Sequence, residues 1–149
     1  MTQHSNDDKW MQVFLKRVLT VTLILSFIIR VLTPGWILIL FFIPLLILMI
    51  LHAIIVKGSI KKIPYTKSPY QYLILLSNLF FFLGCVFQVD GGDAPEYYVP
   101  ILWRIPLSVD SVWGDIFSAI SIGSFVAMVL TWILQLTLSQ NILKREELA

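Results

Sequence analysis

The fold is decided by residues 36–56, which read WILILFFIPLLILMILHAIIV and contain no Asp, Glu, Lys or Arg. A bilayer core about 30 Å thick is crossed by roughly 20 predominantly apolar residues in an α-helix. The stretch therefore predicts a membrane-spanning helix. Pro44 lies in its middle and removes one backbone donor, so we also expect a kink there.

Three further stretches have a similar apolar character. Residues 70–87 and 116–138 also lack Asp, Glu, Lys and Arg, whereas residues 14–33 carry Lys16 and Arg17 near one end and Arg30 near the other. Long basic side chains near the end of a span usually extend to the nearer headgroup layer, and we expect this of Arg30. The alternative is that Arg30 forms an ion pair with Asp90, Asp93 or Glu96.

The composition agrees with a membrane protein. Hydrophobic residues make up 58% of the chain and charged residues 13%, and the mean hydropathy is +0.84. Only helices and closed barrels satisfy the backbone hydrogen bonds in lipid, and the unbroken apolar runs lack the alternation of a barrel strand. The sequence predicts an all-α membrane protein, with residues 1–149 forming a single integral membrane domain that is a four-transmembrane-helix bundle.

The orientation follows from the distribution of Lys and Arg in the connecting segments. Nine of the 11 basic residues fall on one side, which predicts that both termini are cytoplasmic and that residues 57–69 form a cytoplasmic loop. The other side holds two basic and five acidic residues, a net charge of −3. We expect a multi-pass protein of the plasma membrane, and in a bacterium of the inner membrane.

Residues 88–115 form the long external segment and are expected to lie as a cap on the outer membrane surface. Three prolines in this segment prevent a continuous helix. The segment also contains Tyr and Trp residues, whose rings favour the headgroup layer. The acidic run at residues 90–93 could offer oxygens to a hard cation, but an acidic Gly-rich turn is the alternative that we favour. The candidate recognition residues are Asp90, Asp93, Glu96, Tyr97, Tyr98, Trp103, Arg104 and Trp113.

Small and polar residues mark the helix faces that pack closely in lipid. Two spans carry such faces, and we expect them to pack on one another or to form a homo-oligomer seam. On the third span the face contains Ser77, Asn78, Gly84 and Cys85. On the fourth span residues recur every four positions, as Ala119, Gly123, Ala127, Thr131 and Gln135.

Sequence patterns typical of catalysis are absent. No span contains Asp or Glu, and the chain has no Gly-rich phosphate cradle, nucleophile elbow or paired carboxylates at a span boundary. His52 has no cluster of metal ligands around it and is expected to be an interfacial or packing residue, one turn from the end of its span. The sequence predicts no catalytic residue, cofactor or metal.

Partners are expected to be the lipid bilayer and a membrane protein, or a second copy of the chain. The basic loop at residues 57–69 carries four lysines and no acidic residue, which favours anionic lipid and offers too few phosphate contacts for nucleic acid. In span count and orientation alone, the chain is similar to the four-span immunity proteins that protect bacteria from pore-forming bacteriocins. No residue motif carries this similarity.

Three function hypotheses remain open from the sequence. The first is a non-enzymatic accessory, inhibitory or immunity-type factor that acts by protein–protein interaction. The second is a homo-oligomeric pore or membrane-perturbing effector, of the kind used in phage defence. The third is a small membrane enzyme or carrier.

Overall fold

The computed structural model describes residues 2–32, 36–62, 68–91, 96–99, 106–108 and 112–147. The described helices are α1 (Thr2–Leu32), α2 (Trp36–Lys61), α3 (Ser68–Phe87) and α4 (Val112–Glu147). Each contains a stretch that is long and apolar enough to cross a membrane. The prediction of an α-helical fold with four candidate spans is confirmed.

The helices extend beyond the predicted spans at several ends. α1 begins at Thr2 instead of residue 14, α2 continues to Lys61, and α4 runs from Val112 to Glu147. A helix does not end where its apolar composition ends, because its backbone hydrogen bonds continue through polar residues that water can solvate. The predicted connecting segments at residues 57–69 and 88–115 are correspondingly shorter.

A small antiparallel sheet lies between α3 and α4. Its strands are β1 (Asp90–Gly91), β2 (Glu96–Tyr98) and β3 (Pro106–Ser108), in the order β1-β2-β3. Asp90 pairs with Tyr98, and Glu96 pairs with Ser108. The predicted acidic turn is wrong at Asp90 and Gly91, which are extended because they pair with β2, whereas residues 92 and 93 lie outside the described residues.

Successive helices along the chain run in opposite directions, so that α1 is parallel to α3 and α2 is parallel to α4. α1 packs against α2 and α3, and α4 packs against α3 and α2. Strand β1 contacts α2 and strand β3 contacts α4, so the sheet lies at the end of the bundle where α4 begins. We call this end the sheet end, and the other end, where α2 finishes at Lys61, the basic end.

Two apolar clusters form the interior. One lies towards the basic end and the other towards the sheet end, and α3 contributes to both because it is the most buried helix. The first contains Leu15, Leu19, Val56, Ile60, Tyr70 and Ile74, and the second contains Phe81, Cys85, Met128 and Trp132. The exterior between the two ends is also apolar, with many exposed Ile, Leu, Val and Phe side chains. Such a surface is typical of helices that face lipid or another membrane protein.

Candidate functional site

A buried ion pair connects the end of α1 to the sheet. The Arg30 Nη2 atom lies 2.9 Å from Asp90 Oδ2, and both side chains are only 1% exposed. Arg30 Nη1 also donates a hydrogen bond to the main-chain carbonyl of Gln88, at 3.3 Å. The pairing offsets the cost of removing both charges from water, and losing either partner would leave the other charge uncompensated.

The expectation that the Arg30 side chain extends to a headgroup layer is wrong. Its guanidinium points into the protein because Asp90 provides a closer and less hydrated partner. The alternative pairing with Asp90 is the one observed. The same contact occupies one carboxylate oxygen of Asp90, which belongs to the acidic run at residues 90–93 that could offer oxygens to a hard cation.

His52 lies at the centre of a hydrogen-bonded chain that joins three helices. Trp132 Nε1 donates to His52 Nδ1 at 3.1 Å, and His52 Nε2 lies 3.3 Å from Asn78 Oδ1. Because indole is only a donor, Nδ1 must be the acceptor, which assigns the imidazole proton to Nε2. Asn78 Nδ2 then donates to the carbonyl of Ile74 at 2.8 Å. Each donor in this series of hydrogen bonds is therefore directed away from Trp132 and towards the Ile74 carbonyl.

The His52 ring is also packed tightly by aromatic neighbours. It stacks on Phe81 with ring centroids 4.6 Å apart, and its side chain is fully buried. The expectation of a packing residue fits this position, but His52 is more than two turns from the end of α2, because the helix continues to Lys61. Both ring nitrogens of His52 form hydrogen bonds with side chains of other helices.

Gln135 joins α4 to two other helices nearer the basic end. Its Oε1 accepts a hydrogen bond from Ser59 Oγ at 2.8 Å, and its Nε2 donates to the carbonyl of Leu73 at 3.0 Å. One helical turn further along α4, Ser139 Oγ accepts a hydrogen bond from Lys62 Nζ at 2.9 Å. These contacts fix the register between α2 and α4.

α3 and α4 are in close contact at Gly84. A Cβ atom built on Gly84 would lie 2.7 Å from Cε1 of Phe125, a distance that real side chains do not adopt. Ser121 Oγ donates to the Gly84 carbonyl at 2.8 Å in the same region. Glycine at this position therefore allows the Phe125 ring to lie against the backbone of α3.

The structure divides the predicted helix faces into buried and exposed parts. On α3, Ser77, Asn78, Gly84 and Cys85 are all buried. On α4, Thr131 and Gln135 are buried, Ala127 is half-buried, and Ala119 and Gly123 are exposed. A spacing of four residues rotates each successive position by about 40° around a helix, so this row cannot remain on one face over four steps.

A different spacing in the sequence describes the buried face of α4 better than the four-residue repeat does. The buried face of α4 follows steps of three or four residues, as expected for one side of a helix. It consists of Ser121, Ser124, Met128, Thr131, Gln135 and Ser139. Trp132 was likewise not singled out, although a tryptophan inside a span has one donor that needs a partner.

The predicted recognition residues fall in three groups. Asp90 is buried in the ion pair, and Trp113 is 61% exposed on the first turn of α4, where its ring lies 6.1 Å from that of Phe117. Only the strand backbone is described for Glu96, Tyr97 and Tyr98. The predictions for Asp93, Trp103 and Arg104 lie outside the described residues.

The described residues contain no group of three or more His, Cys, Asp or Glu side chains that could hold a metal ion. The chain was also compared with known proteins. No family model, curated protein or solved structure matches it.

Proposed function

We propose that the chain is a multi-pass protein of the plasma membrane, the inner membrane in a bacterium, that acts by binding another membrane protein. It would serve as an accessory, inhibitory or immunity-type factor. The observation that carries this proposal is that the bundle interior is joined by its own polar groups, while its exterior is apolar. A scaffold of this kind offers surfaces for recognition and keeps its polar chemistry inside.

The proposed orientation places both termini in the cytoplasm and the sheet outside, as an external cap. It is supported by the exposed basic residues near the basic end, Lys9, Lys16, Arg17, Lys57 and Lys61. At the sheet end the charge of Arg30 is matched by Asp90, and Asp115 is exposed. Positive charge concentrates on the cytoplasmic side of membrane proteins, which favours this orientation.

Two surfaces are proposed for the partner. One is the external cap, which includes residues 97–104 and Trp113. The other is the outward face of α4 at Ala119 and Gly123, where a Cβ on Gly123 would meet no atom within 4 Å. Small outward residues let the backbone of a second helix approach closely, because no side chain separates the two.

The test uses the full chain with substitutions on these surfaces. Ala119→Leu with Gly123→Leu, or Trp113→Ala with alanines at residues 97–104, should reduce the co-purified partner at least tenfold while the protein stays membrane-inserted. Thr137→Leu adds bulk at another exposed position of α4 and should leave association unchanged. Unchanged association for every surface variant would count decisively against the proposal.

The second candidate is a homo-oligomeric pore lined by the polar faces of α3 and α4. It would require the hydrogen bonds of Asn78 and Gln135 to open, since both side chains are engaged within the bundle. This candidate predicts that overexpression depolarises cells and that Asn78→Leu relieves the effect. A retained membrane potential on overexpression would exclude it.

The third candidate is a small membrane enzyme or carrier. It predicts loss of activity on alanine substitution of an acidic residue in the proposed external segment, namely Asp90, Asp93, Glu96, Asp110 or Asp115. The Asp90 carboxylate is already bound by Arg30, so this ion pair would have to break before Asp90 could contact a substrate. A cellular phenotype that is insensitive to all five substitutions would remove this candidate.

A further inference from the structure

Three exposed lysines lie beside the seam between α1 and α2. Each follows directly after a buried core residue: Lys16 follows Leu15, Lys57 follows Val56, and Lys61 follows Ile60. The three core residues belong to one apolar cluster, so the lysines lie at a similar level of the bundle.

The two helices are antiparallel at this seam. Near the basic end, Leu15 and Leu19 of α1 cluster with Val56 and Ile60 of α2. Further along α1, Leu23 packs against the second cluster together with residues from an earlier part of α2, including Leu48 and Met49. Progress along α1 therefore corresponds to moving backwards along α2.

Antiparallel packing places the three lysines on the same flank of the seam. The next residue on any helix is rotated by about 100°, and viewed from one end of the bundle the rotation has opposite senses on two antiparallel helices. Residues that follow facing core positions therefore turn to the same side. Lys16 on one helix and Lys57 and Lys61 on the other converge in this way.

An apolar groove continues from the lysines towards the sheet end. Ile50 and Leu46 precede Lys57 by two and three turns on the same side of α2, and Phe27 follows Lys16 by three turns on α1. These side chains are 51%, 40% and 42% exposed, respectively. The seam thus presents ammonium groups at one end and exposed hydrocarbon over about 16 Å of helix length.

Positive charge predominates around the three lysines. The only ion pair among the described residues is that of Arg30 with Asp90, so the three lysines have no carboxylate partner there. Asp8 precedes Lys16 on α1 by about 12 Å along the helix axis. Cationic groups above an apolar groove match the phosphate and acyl chains of an anionic phospholipid.

We propose that the α1–α2 seam binds one anionic phospholipid, with its phosphate at Lys16, Lys57 and Lys61 and its acyl chains along Phe27, Leu46 and Ile50. This site rests on the proposed membrane insertion but not on the proposed protein partner. The lipid would come from the leaflet at the basic end. It would hold α1 and α2 together where three like charges otherwise repel one another.

The test measures lipid retention by native mass spectrometry of the full chain, released from nanodiscs of phosphatidylcholine with or without phosphatidylglycerol. Lys16→Gln with Lys57→Gln should reduce retained phosphatidylglycerol by about 25-fold, since each ammonium near a phosphate contributes about fivefold. The matched control, Arg17→Gln with Lys62→Gln, removes the same charge away from the seam and should retain most of it, because Arg17 lies about 100° beyond Lys16 around α1 and Lys62 contacts Ser139 of α4.

Three outcomes would overturn the lipid site: equal losses for the two pairs, equal retention of phosphatidylcholine, or displacement of the lipid by glycerol 3-phosphate, which lacks acyl chains. The conservative Lys16→Arg with Lys57→Arg should restore retention, which excludes misfolding as the cause of loss. All variants are first checked for carbonate-resistant membrane association. Failure of insertion is thereby distinguished from failure of lipid binding.

Discussion

Arg30 and Asp90 are separated by 60 residues, and their side chains meet at 2.9 Å where both are 1% exposed. The contact joins the end of α1 to the first strand of the sheet. It therefore holds β1 against α1, a helix to which β1 has no direct backbone connection. The ion pair therefore fixes the position of β1 relative to the end of α1.

Removing one member of this pair should be more damaging than removing both. Asp90→Ala is expected to lower the free energy of unfolding by about 3–5 kcal/mol, because the Arg30 charge would remain buried without its partner. The double substitution Arg30→Met with Asp90→Leu should recover most of this loss. Unfolding of the detergent-solubilised protein in SDS, followed by circular dichroism, measures both.

Controls for this prediction come from exposed charges. Lys9→Met and Asp115→Leu remove a basic and an acidic residue outside the pair, and each should change stability by no more than about 0.5 kcal/mol. If Asp90→Ala also fell within that range, the ion pair would have no structural role.

The hydrogen bond from Trp132 to His52 should appear as an energetic coupling. In a double-mutant cycle with Trp132→Phe and His52→Phe, we expect a coupling of about 0.6 kcal/mol, and at most about 1.7 kcal/mol, the range for hydrogen bonds between membrane helices. SDS unfolding of the four proteins gives this value. Additive effects of the two substitutions would contradict the assigned hydrogen bond.

The four helices could be predicted from the sequence because each span is encoded locally, by a run of apolar residues. The partner of Arg30 could not, because the sequence offers Asp90, Asp93 and Glu96 as alternatives in one predicted external segment. Asp90 is buried where β1 pairs with β2. That pairing is a tertiary property with no local signal.

The helix faces were predicted only in part, for a geometrical reason. A four-residue repeat selected Ala119 and Gly123, which are exposed, together with Thr131 and Gln135, which are buried. Ser121, Ser124, Thr131 and Gln135 are separated by three, seven and four residues, a spacing that follows one helix face and is visible in the sequence. The serines of α4 could have indicated this buried face. A serine hydroxyl can bond to the helix backbone and can therefore be buried without a polar partner that the sequence would reveal.

Glycine at position 84 should be required for the packing of α3 on α4. Gly84→Ala is expected to destabilise the protein by about 1–3 kcal/mol, because its Cβ would lie 2.7 Å from the Phe125 ring. Gly123→Ala meets no atom within 4 Å and should be neutral or stabilising by up to about 1 kcal/mol. Thermal unfolding in detergent compares the two variants.

The steric explanation is tested by reducing the ring. Phe125→Leu combined with Gly84→Ala should recover much of the stability lost by Gly84→Ala alone. If Gly84→Ala behaved like Gly123→Ala, α3 and α4 would not approach as closely as the structure describes.

The proposed orientation predicts opposite labelling of the two ends of the bundle. In a Cys85→Ser background, Trp113→Cys should react in intact cells with a maleimide that does not cross the membrane. Lys57→Cys should react only after the cells are permeabilised, since both positions are exposed but lie at opposite ends. Labelling of Lys57→Cys in intact cells, without labelling of Trp113→Cys, would reverse the orientation.

The central claim is that the chain works by binding a different membrane protein. It is tested most directly by solubilising the protein gently from its native membrane and measuring the mass and composition of the intact complex. We expect one foreign membrane protein in a fixed stoichiometric ratio, which is lost in the Ala119→Leu, Gly123→Leu variant and kept in Thr137→Leu. A complex made only of copies of this chain, or a monomer, would contradict the claim.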